Sequence, residues 1–281
     1  NLMTNGADPN VKNEKGETAL HQSLHTASRV EVVKHLMANG ADQNITNEEG
    51  ETALHKASYC RGSVEVVKNL MANGADPNLT NKKGETALHR ASYGGELEVV
   101  KHLMANGADP NIKNEEGETA LHRASYGGEL EFVKHLMANG ADPKLKDNNG
   151  KTAYDHAMDR NIESDWRDEN SIKVMYHLLP LTPNRADPNL TNQKGETVLH
   201  RASGNGFLEG VKHLIINGAD PELKDNNGKT AYDHAIVGYI GNHREEKNFS
   251  ELLNFLLPLC PNRADLNFKN AKGETVLLKA S

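Results

Sequence analysis

The histidines are the residues of this chain that most invite a metal or catalytic interpretation, and there are 14 of them. Most fall at two positions that recur at intervals of at least 33 residues. Zinc needs each ligand nitrogen at about 2.0–2.1 Å, whereas neighbouring packed helices lie about 8–10 Å apart. Each of the two positions falls on a helix that the sequence repeats, so successive histidines are one helix spacing apart. One zinc ion therefore cannot reach two of them, and we expect no metal site. The first position holds His21, His55, His89, His122 and His200, and the second holds His35, His102, His135 and His213.

One histidine pair and two Asp-His dipeptides remain as chemical candidates. His21 and His25 are four residues apart on one predicted helix, the one pair that could share an ion, and we expect no metal there either. The dipeptides at 155–156 and 233–234 resemble the acid–base half of a catalytic triad, but no Ser or Cys lies in a pattern such as G-x-S-x-G. No Walker or dinucleotide motif occurs. The sequence therefore predicts a protein that is not an enzyme and needs no cofactor.

Composition excludes several further classes of protein. The net charge is −7 and no run of Lys and Arg occurs, so neither nucleic acid nor anionic lipid is the expected partner. No apolar stretch is long enough to enter a membrane. Cys60 and Cys260 form no disulfide or zinc pattern, which favours an intracellular, cytoplasmic location. Aromatic residues make up 5% of the chain, so an elongated fold with a thin core is expected. The oligomeric state is not predicted.

One phrase, of the type G-E-T-A-L-H-R-A, returns eight times and decides the organisation of the chain. Residues 84–116 and 117–149 match at 27 of 33 positions. Because each copy is too short to bury its own apolar face, neighbouring copies must stack. The copies begin at Gly16, Gly50, Gly84, Gly117, Gly150, Gly195, Gly228 and Gly273.

This period and the T-A-L-H-x-A core closely resemble the ankyrin repeat, whose mark is T-P-L-H-x-A. The resemblance extends over essentially the whole chain and includes the recurring NGADPN segment. It implies an all-α repeat solenoid of helix-turn-helix units with protruding β-hairpin or turn fingers, forming one domain over residues 1–281. It also implies that the T-A-L-H histidines hydrogen-bond between neighbouring loops and that the first helix of each unit lines the concave face.

The elements of one unit follow from its residues, as in 117–149. Thr119 is a good N-cap for a short first helix. Gly127-Gly128 breaks that helix, and 129–138 has the apolar spacing of a second one. Gly140 then supplies the left-handed end of the second helix, before an extended finger.

Two copies depart from this plan, because each inserts 12 residues between its two helices, near 158–170 and 236–247. One interpretation is a tolerated loop with lengthened helices, and the other is a pair of functional knobs. The first and last segments, 1–6 and 274–281, are incomplete units without polar capping repeats, so the natural protein is expected to continue on both sides.

Chemistry that could serve binding is concentrated on the first helices and the finger turns. Arg and Tyr are typical anchors of protein interfaces, and the sequence predicts that these side chains present one repeated pattern to solvent. The alternative is that acidic fingers of the same protein hold the cations. The predicted stripe comprises Lys56, Tyr59, Arg90, Tyr93, Arg123, Tyr126 and Arg201; secondary candidates are Glu48, Glu49, Lys82, Lys83, Glu115, Glu116, Trp166 and Arg244.

These features predict a non-enzymatic protein–protein interaction module that binds its partner through the concave face and fingers. A basic groove carrying tyrosines favours an acidic or aromatic-containing partner segment. The alternative is a targeting or substrate-binding segment of a larger effector, toxin or enzyme, in which case the protein would be secreted into a host cell. A third possibility is a structural spacer without a tight ligand.

Overall fold

A computed structural model describes residues 7–24, 29–93, 96–163, 169–181, 188–241 and 246–261. These ranges contain 14 α-helices, which follow one another as seven first-and-second pairs. The eighth phrase, from Gly273, lies outside the described residues. The helices are α1 (Ala19–Ser23), α2 (Arg29–Ala38), α3 (Ala53–Tyr59), α4 (Val64–Ala72), α5 (Ala87–Ser92), α6 (Leu97–Ala105), α7 (Ala120–Tyr126), α8 (Leu130–Ala138), α9 (Ala153–Glu163), α10 (Glu169–Leu178), α11 (Val198–Gly204), α12 (Leu208–Ile216), α13 (Ala231–Gly241) and α14 (Glu246–Leu256).

Contacts between residues divide the chain into two compact units, Asn1–His156 and Ala157–Ser281. In the first unit, the first helices α1, α3, α5 and α7 contact one another in order, and so do the second helices α2, α4, α6 and α8. In the second unit, α11 contacts α13, and α10, α12 and α14 contact in order. The fold is thus the predicted all-α repeat solenoid. That residues 1–281 form a single domain stays a prediction.

Each regular first helix begins with the same pair of residues. In α5, the Thr86 side chain accepts the backbone N–H of His89, and the His89 ring accepts the backbone N–H of Thr86 in return. This reciprocal capping box satisfies two backbone donors that the helix itself leaves unpaired. The same arrangement begins α1, α3, α7 and α11, and it confirms Thr119 as an N-cap.

Five second helices, α2, α4, α6, α8 and α12, end in a glycine-dependent motif, whereas α10 and α14 run into short Leu-Pro-Leu 3-10 turns. After α8, Gly140 adopts a φ of 93°. Its N–H donates to the carbonyl of Met137 at 3.2 Å, and the N–H of Ala141 donates to that of Leu136 at 3.0 Å. This is the Schellman motif, which satisfies carbonyls at the helix end. The predicted second helix is confirmed, and it starts one residue later than expected.

The finger turns of neighbouring repeats bond directly to each other. The Glu115 N–H donates to the Lys83 carbonyl at 2.9 Å, and equivalent bonds recur along the chain. Gly84 has a φ of +71°, and a Cβ there would lie 2.9 Å from the Glu115 nitrogen. Glycine is therefore required both for the turn and for the approach of the next one. In the described part of the chain the fingers are turns, and the single β-bridge joins Thr191 and Thr197.

The two unusual copies have longer first helices. α9 and α13 contain 11 residues each, against 5 to 7 in the other first helices. Much of each insert therefore continues a helix, as in the interpretation of a tolerated loop. The remaining segments, 164–168 and 242–245, lie outside the described residues, so the proposed knobs stay a prediction. Within the described ranges, no helix combines the length and apolar character needed to cross a bilayer.

Candidate functional site

The first-helix histidines join each repeat to the next. Nδ1 of His89 accepts the Thr86 N–H at 3.1 Å, and Nε2 lies 3.0 Å from the carbonyl oxygen of Glu118. Because Nδ1 accepts, the neutral ring carries its proton on Nε2 and donates it to that carbonyl. Burial lowers the pKa of His89, which keeps the ring neutral. Equivalent bridges of 2.9–3.2 Å from His21, His55, His122 and His200 confirm the predicted bonding between loops.

Three of the cations that follow these histidines, Lys56, Arg90 and Arg123, are paired with glutamates of the protein's own repeats. Arg90 places Nη2 2.6 Å from Glu51 Oε1 and Nε 2.9 Å from Glu85 Oε2. The Nε–H of Arg90 is not aligned for a hydrogen bond, so the second contact is an ion pair. Lys56 pairs with Glu17 in the same way. Each cation therefore reaches back to the turn of the preceding repeat.

Arg123 has the most extensive set of these pairs. Its Nε lies 2.6 Å from Glu118, and its Nη2 lies 3.3 Å from Glu85 and 3.2 Å from Glu116. Burial raises the pKa of Glu85, but hydrogen bonding from Asn81 and the charges of the arginines outweigh it, so the pKa lies below its ordinary value. Glu85 is therefore a charged partner shared by two repeats.

The expectation that both arginines face solvent freely is wrong. The side chains of Arg90 and Arg123 are 29% and 25% exposed, respectively, because they fold back onto the carboxylates of the turns. Within the described residues, Nη1 of each guanidinium nevertheless has no hydrogen bond or ion pair. The arginines are thus partly scaffold, and we expect their removal to cost more stability than that of an exposed side chain.

Two of the predicted tyrosines are exposed and share a cleft with these arginines. Tyr59 is 53% and Tyr93 47% exposed, and they lie one repeat apart. The guanidinium carbon of Arg123 stands 5.9 Å from the centre of the Tyr93 ring, within the range of a cation–π contact. The cleft has a volume of about 220 Å³ and is lined by Tyr59, Lys83, Glu85, His89, Arg90, Tyr93 and Arg123. The structure therefore gathers four predicted stripe residues and one secondary candidate in one place.

The other predicted site residues are placed differently. Tyr126 is half-buried and Arg201, in the second unit, is half-buried, and both have partners. The finger residues Glu48, Glu49, Lys82, Lys83, Glu115 and Glu116 are exposed on adjacent turns, and only Lys83 of these lines the cleft. Trp166, Arg244 and His25 lie outside the described residues.

A different cluster replaces the arginine pairs in the two unusual copies. His156 Nε2 lies 3.0 Å from Asp147 Oδ2, and His234 Nε2 lies 3.1 Å from Asp225 Oδ2. Burial raises the pKa of Asp225, but backbone donors and His234 outweigh it and lower the pKa overall. Ligand atoms of Glu196, Asp225 and His234 lie within 4.8 Å of one another and could hold a cation. A hydrogen bond already joins His234 to Asp225, and the absence of a metal site stays a prediction.

Apart from Glu116, the carboxylates of these clusters were not named as candidates, although the sequence carries a signal for them. The arginine partners are the Glu that follows the repeat Gly, as in Glu51 and Glu85. Where this Glu becomes Lys, at Lys151 and Lys229, the earlier Asn becomes Asp and the Arg becomes His. These three changes occur together in both copies, which indicates one charge cluster exchanged for another.

Models of known protein families match the repeats of this chain. A model for ankyrin repeats in three copies matches residues 1–81, 24–114, 58–147 and 88–164, and a model for ankyrin repeats in many copies matches residues 184–235. Together these matches cover more than half of the chain. The chain belongs to the ankyrin-repeat family. Ankyrin repeats are generally protein–protein interaction modules.

Two viral proteins share parts of this ankyrin array. A fowlpox virus (strain NVSL) protein named as an ankyrin repeat protein is 37% identical over 57 residues, which are 20% of this chain and 13% of the viral protein. A similarly named protein of Acanthamoeba polyphaga mimivirus is 31% identical over 110 residues, which span 34% of this chain and 18% of the relative. The chain thus spans under a fifth of the length of either relative.

Proposed function

We propose that the cleft of the first unit binds a segment of a partner protein, and that the ankyrin array acts as a non-enzymatic interaction module. The observation that supports this most directly is the pair of exposed tyrosines, Tyr59 and Tyr93, above a cleft of about 220 Å³. Tyrosines offer large contact areas at low entropic cost, which makes them frequent anchors of interfaces. Each ring is carried by a different repeat, so the stacking of the two repeats would set the distance between the rings.

The chemistry of the cleft supports an acidic or aromatic-containing partner segment. Lys83, Arg90 and Arg123 line it together with one carboxylate, Glu85. Because the arginines already hold carboxylates of the protein, the free Nη1 groups and the exposed Lys83 are the cations open to a partner. Exposed finger residues on either side would extend the contact, as the sequence predicts.

The test compares a double variant and a single control variant of the intact chain with the wild type. Tyr59→Ser with Tyr93→Ser removes both exposed rings, and Ile216→Ser, at a residue 81% exposed in the second unit, is the matched control. We expect both proteins to melt within about 2 °C of the wild type, since exposed side chains contribute little stability. Proteins captured from a cell extract and identified by mass spectrometry should be lost only with the tyrosine variant, and their affinity should fall at least tenfold. Equal capture by all three proteins would refute the proposal.

The alternative, a targeting segment of a larger effector, toxin or enzyme, is supported by the greater length of both viral relatives. It shares the binding step proposed above and adds an activity located elsewhere. Sequencing the complete reading frame would separate the two, because the alternative requires a catalytic domain outside residues 1–281.

A further inference from the structure

We propose that Asn149 and Asn227 are sites of spontaneous deamidation, whereas the Asn-Gly pairs at the ends of the second helices are protected from it. This inference goes beyond the proposed function and does not depend on partner binding. Eight Asn-Gly pairs lie in the described part of the chain. They occupy three structural settings, and one of these leaves the asparagine side chain both exposed and without a hydrogen bond to any described residue.

An asparagine that precedes a glycine can react with its own backbone. The glycine nitrogen attacks Cγ of the asparagine, and the new N–C bond closes a five-membered succinimide ring. The bond from Cγ to Nδ2 breaks, and ammonia leaves with the proton of the attacking nitrogen. Water then opens the ring at either carbonyl and produces aspartate or isoaspartate. Glycine favours the attack because it has no Cβ to shield its nitrogen.

At the ends of five second helices, the helix itself holds the asparagine side chain. In α4, Nδ2 of Asn73 donates to the carbonyl of Asn69 at 2.7 Å. The Gly74 N–H donates to the carbonyl of Met71 at 3.0 Å, so both reacting groups are bonded. Attack requires the side-chain bond to break as well as the turn, and one hydrogen bond of ordinary strength slows the reaction by about fivefold. The same side-chain bond, at 2.7–2.8 Å, is made by Asn39, Asn106, Asn139 and Asn217.

The Asn-Gly pair after α11 is protected by burial. Gly206 is buried, and a Cβ at this residue would lie 2.9 Å from the ring of Phe249. The Asn205 N–H donates to the carbonyl of Arg201 at 3.0 Å, which continues the helical bonding into the asparagine. The glycine nitrogen therefore has little room to move towards the side chain.

Two finger turns leave their asparagines open to reaction. Asn149 and Asn227 are exposed, and neither side chain makes a hydrogen bond with a residue that the structure describes. The Gly150 N–H donates to the carbonyl of Asp147 at 3.1 Å, so opening of this one turn frees the attacking nitrogen. The regular repeats have lysine or glutamate before the finger glycine, as at Lys83. Among the finger turns, Asn-Gly is thus confined to the two unusual copies.

Deamidation at these turns would act on the His–Asp pairs that the turns hold. Asp147 Oδ1 accepts the N–H of Asn149 at 2.9 Å and that of Lys151 at 2.8 Å, while Oδ2 lies 3.0 Å from His156 Nε2. Isoaspartate adds one methylene to the main chain at this point. The two N–H groups then no longer converge on one carboxylate oxygen, and the hydrogen bond to His156 weakens. The same arrangement recurs around Asp225 and His234.

The experiment incubates the intact chain at pH 8.5, in buffer and in parallel in urea, and follows deamidation of each tryptic peptide by mass spectrometry. The peptides with the five helix-end asparagines differ in sequence and are measured separately. Residues 145–157 and 223–235 are identical in sequence, so Asn149→Gln and Asn227→Gln assign their shared signal. In buffer, we expect the two turns to react at least fivefold faster than any helix end. In urea, all eight pairs should react at similar rates.

Each glutamine substitution should remove the signal of its own turn and leave that of the other. Equal rates at turns and helix ends in buffer would overturn the inference, because the caps then give no protection. Turns that react in urea but not in buffer would also overturn it, since the folded turn then holds its asparagine. A signal that survives both substitutions together would come from Asn148 or Asn226 and reject the assignment.

The effect on the His–Asp pairs is measured on the modified protein itself. The isoaspartate form, separated from the unmodified chain by ion exchange, should unfold at a lower urea concentration. An unchanged midpoint would reject the link between the turn and the His–Asp pair.

Discussion

The regular first helices and the first helices of the two unusual copies begin in the same way but reach different neighbours. In α5, His89 caps the helix and also donates to the carbonyl of Glu118 in the next repeat. In α9, Asp155 accepts the N–H and hydroxyl of Thr152 at 2.8 Å, and a carboxylate has no proton to donate onward. Both kinds of helix are therefore capped by a side chain, but the hydrogen bond to the next repeat requires histidine.

A second difference accompanies the first, in the residue after the cap. Arg90 reaches back to Glu51 in the preceding repeat. His156 instead bonds to Asp147, in the finger turn directly before its own helix, and its other nitrogen lies 3.9 Å from Glu118. The comparison shows that the Glu or Lys after the repeat glycine changes together with its neighbours: Glu occurs with the Arg–Glu pairs, and Lys with the His–Asp pairs.

The largest effect should be a loss of stability in acid, caused by the buried bridging histidines of the regular repeats. Burial and the charge of His156 lower the pKa of His122 to about 4 from 6.5. The unfolded chain then binds more protons than the folded one between these values, so stability is complete above pH 6.5 and is lost as the pH falls toward 4. At about 1.4 kcal/mol per pH unit, His122 alone accounts for roughly 3 kcal/mol.

The measurement is the free energy of unfolding in urea at pH 7.5, 6.5, 5.5 and 4.5. The pKa of each of the other four bridging histidines is also lowered by burial, so their losses add to that of His122. Asp147 and Asp225 titrate below their ordinary 3.8, so their contribution is lost only at lower pH. A stability that does not change between pH 7.5 and 5 would contradict this account.

The lengthened first helix of the second unit should be intolerant of any side chain at one position. A Cβ on Gly238 would lie 2.1 Å from the Gly204 carbonyl oxygen, and that backbone atom cannot turn aside. We expect Gly238→Ala to cost about 3 kcal/mol, at the upper end of overpacking effects. Gly127→Ala is the matched control, since its nearest neighbours lie at 3.4 Å. Equal midpoints of urea unfolding for both variants would show that the two helices can separate.

Removing the cap residue should cost more in a regular repeat than in an unusual one. His89→Ala loses a capping bond and the bridge to Glu118, for about 2 kcal/mol. Asp155→Ala loses the cap alone, for about 1 kcal/mol. Chemical denaturation of both variants at pH 7.5 measures the difference. If Asp155→Ala is as costly as His89→Ala, the bridge contributes nothing and the comparison fails.

The smallest effect should come from a buried serine. Ser92 is 0% exposed, and its hydroxyl has no hydrogen-bond partner among the residues that the structure describes, as is also true of Ser58, Ser125 and Ser203. The unusual copies bury Met158 and Ile236 at this position instead. An unpaired buried hydroxyl is unfavourable, so Ser92→Ala should raise the free energy of unfolding by up to about 1 kcal/mol. Calorimetric melting checks this, and a clear loss of stability would reveal a hidden partner for the hydroxyl.

Local signals in the sequence were sufficient for the helices and their ends. Thr119 and Gly140 act through their immediate neighbours, so their roles follow from type and spacing alone. The ion pairs of Arg90 and Arg123 were not predictable in the same way, because their partners lie up to 39 residues away. Whether a cation faces solvent or a carboxylate depends on stacking, and hence on distances that no single repeat contains.

Gly210, in α12, is a second residue whose role depends on a neighbouring repeat and could not be predicted from its own. Other second helices have Val66, Val99 or Phe132 at this position, which makes the glycine look like a weak helix residue. The structure places the ring of Tyr176 where its Cβ would be, 2.1 Å away. The Tyr176 ring of α10 thus fills the space that a side chain at residue 210 of α12 would occupy. Neither residue alone predicts this arrangement.

The bond between successive finger turns has a genetic consequence. Because Glu115 donates to Lys83 through backbone atoms, the link does not depend on which side chains stand there. Residues 84–116 and 117–149 agree at 27 of 33 positions, so a recombination event that deletes one of them would rejoin compatible surfaces. The number of regular copies can thus change in a single step without a new fold having to be found. The array length is then a heritable variable.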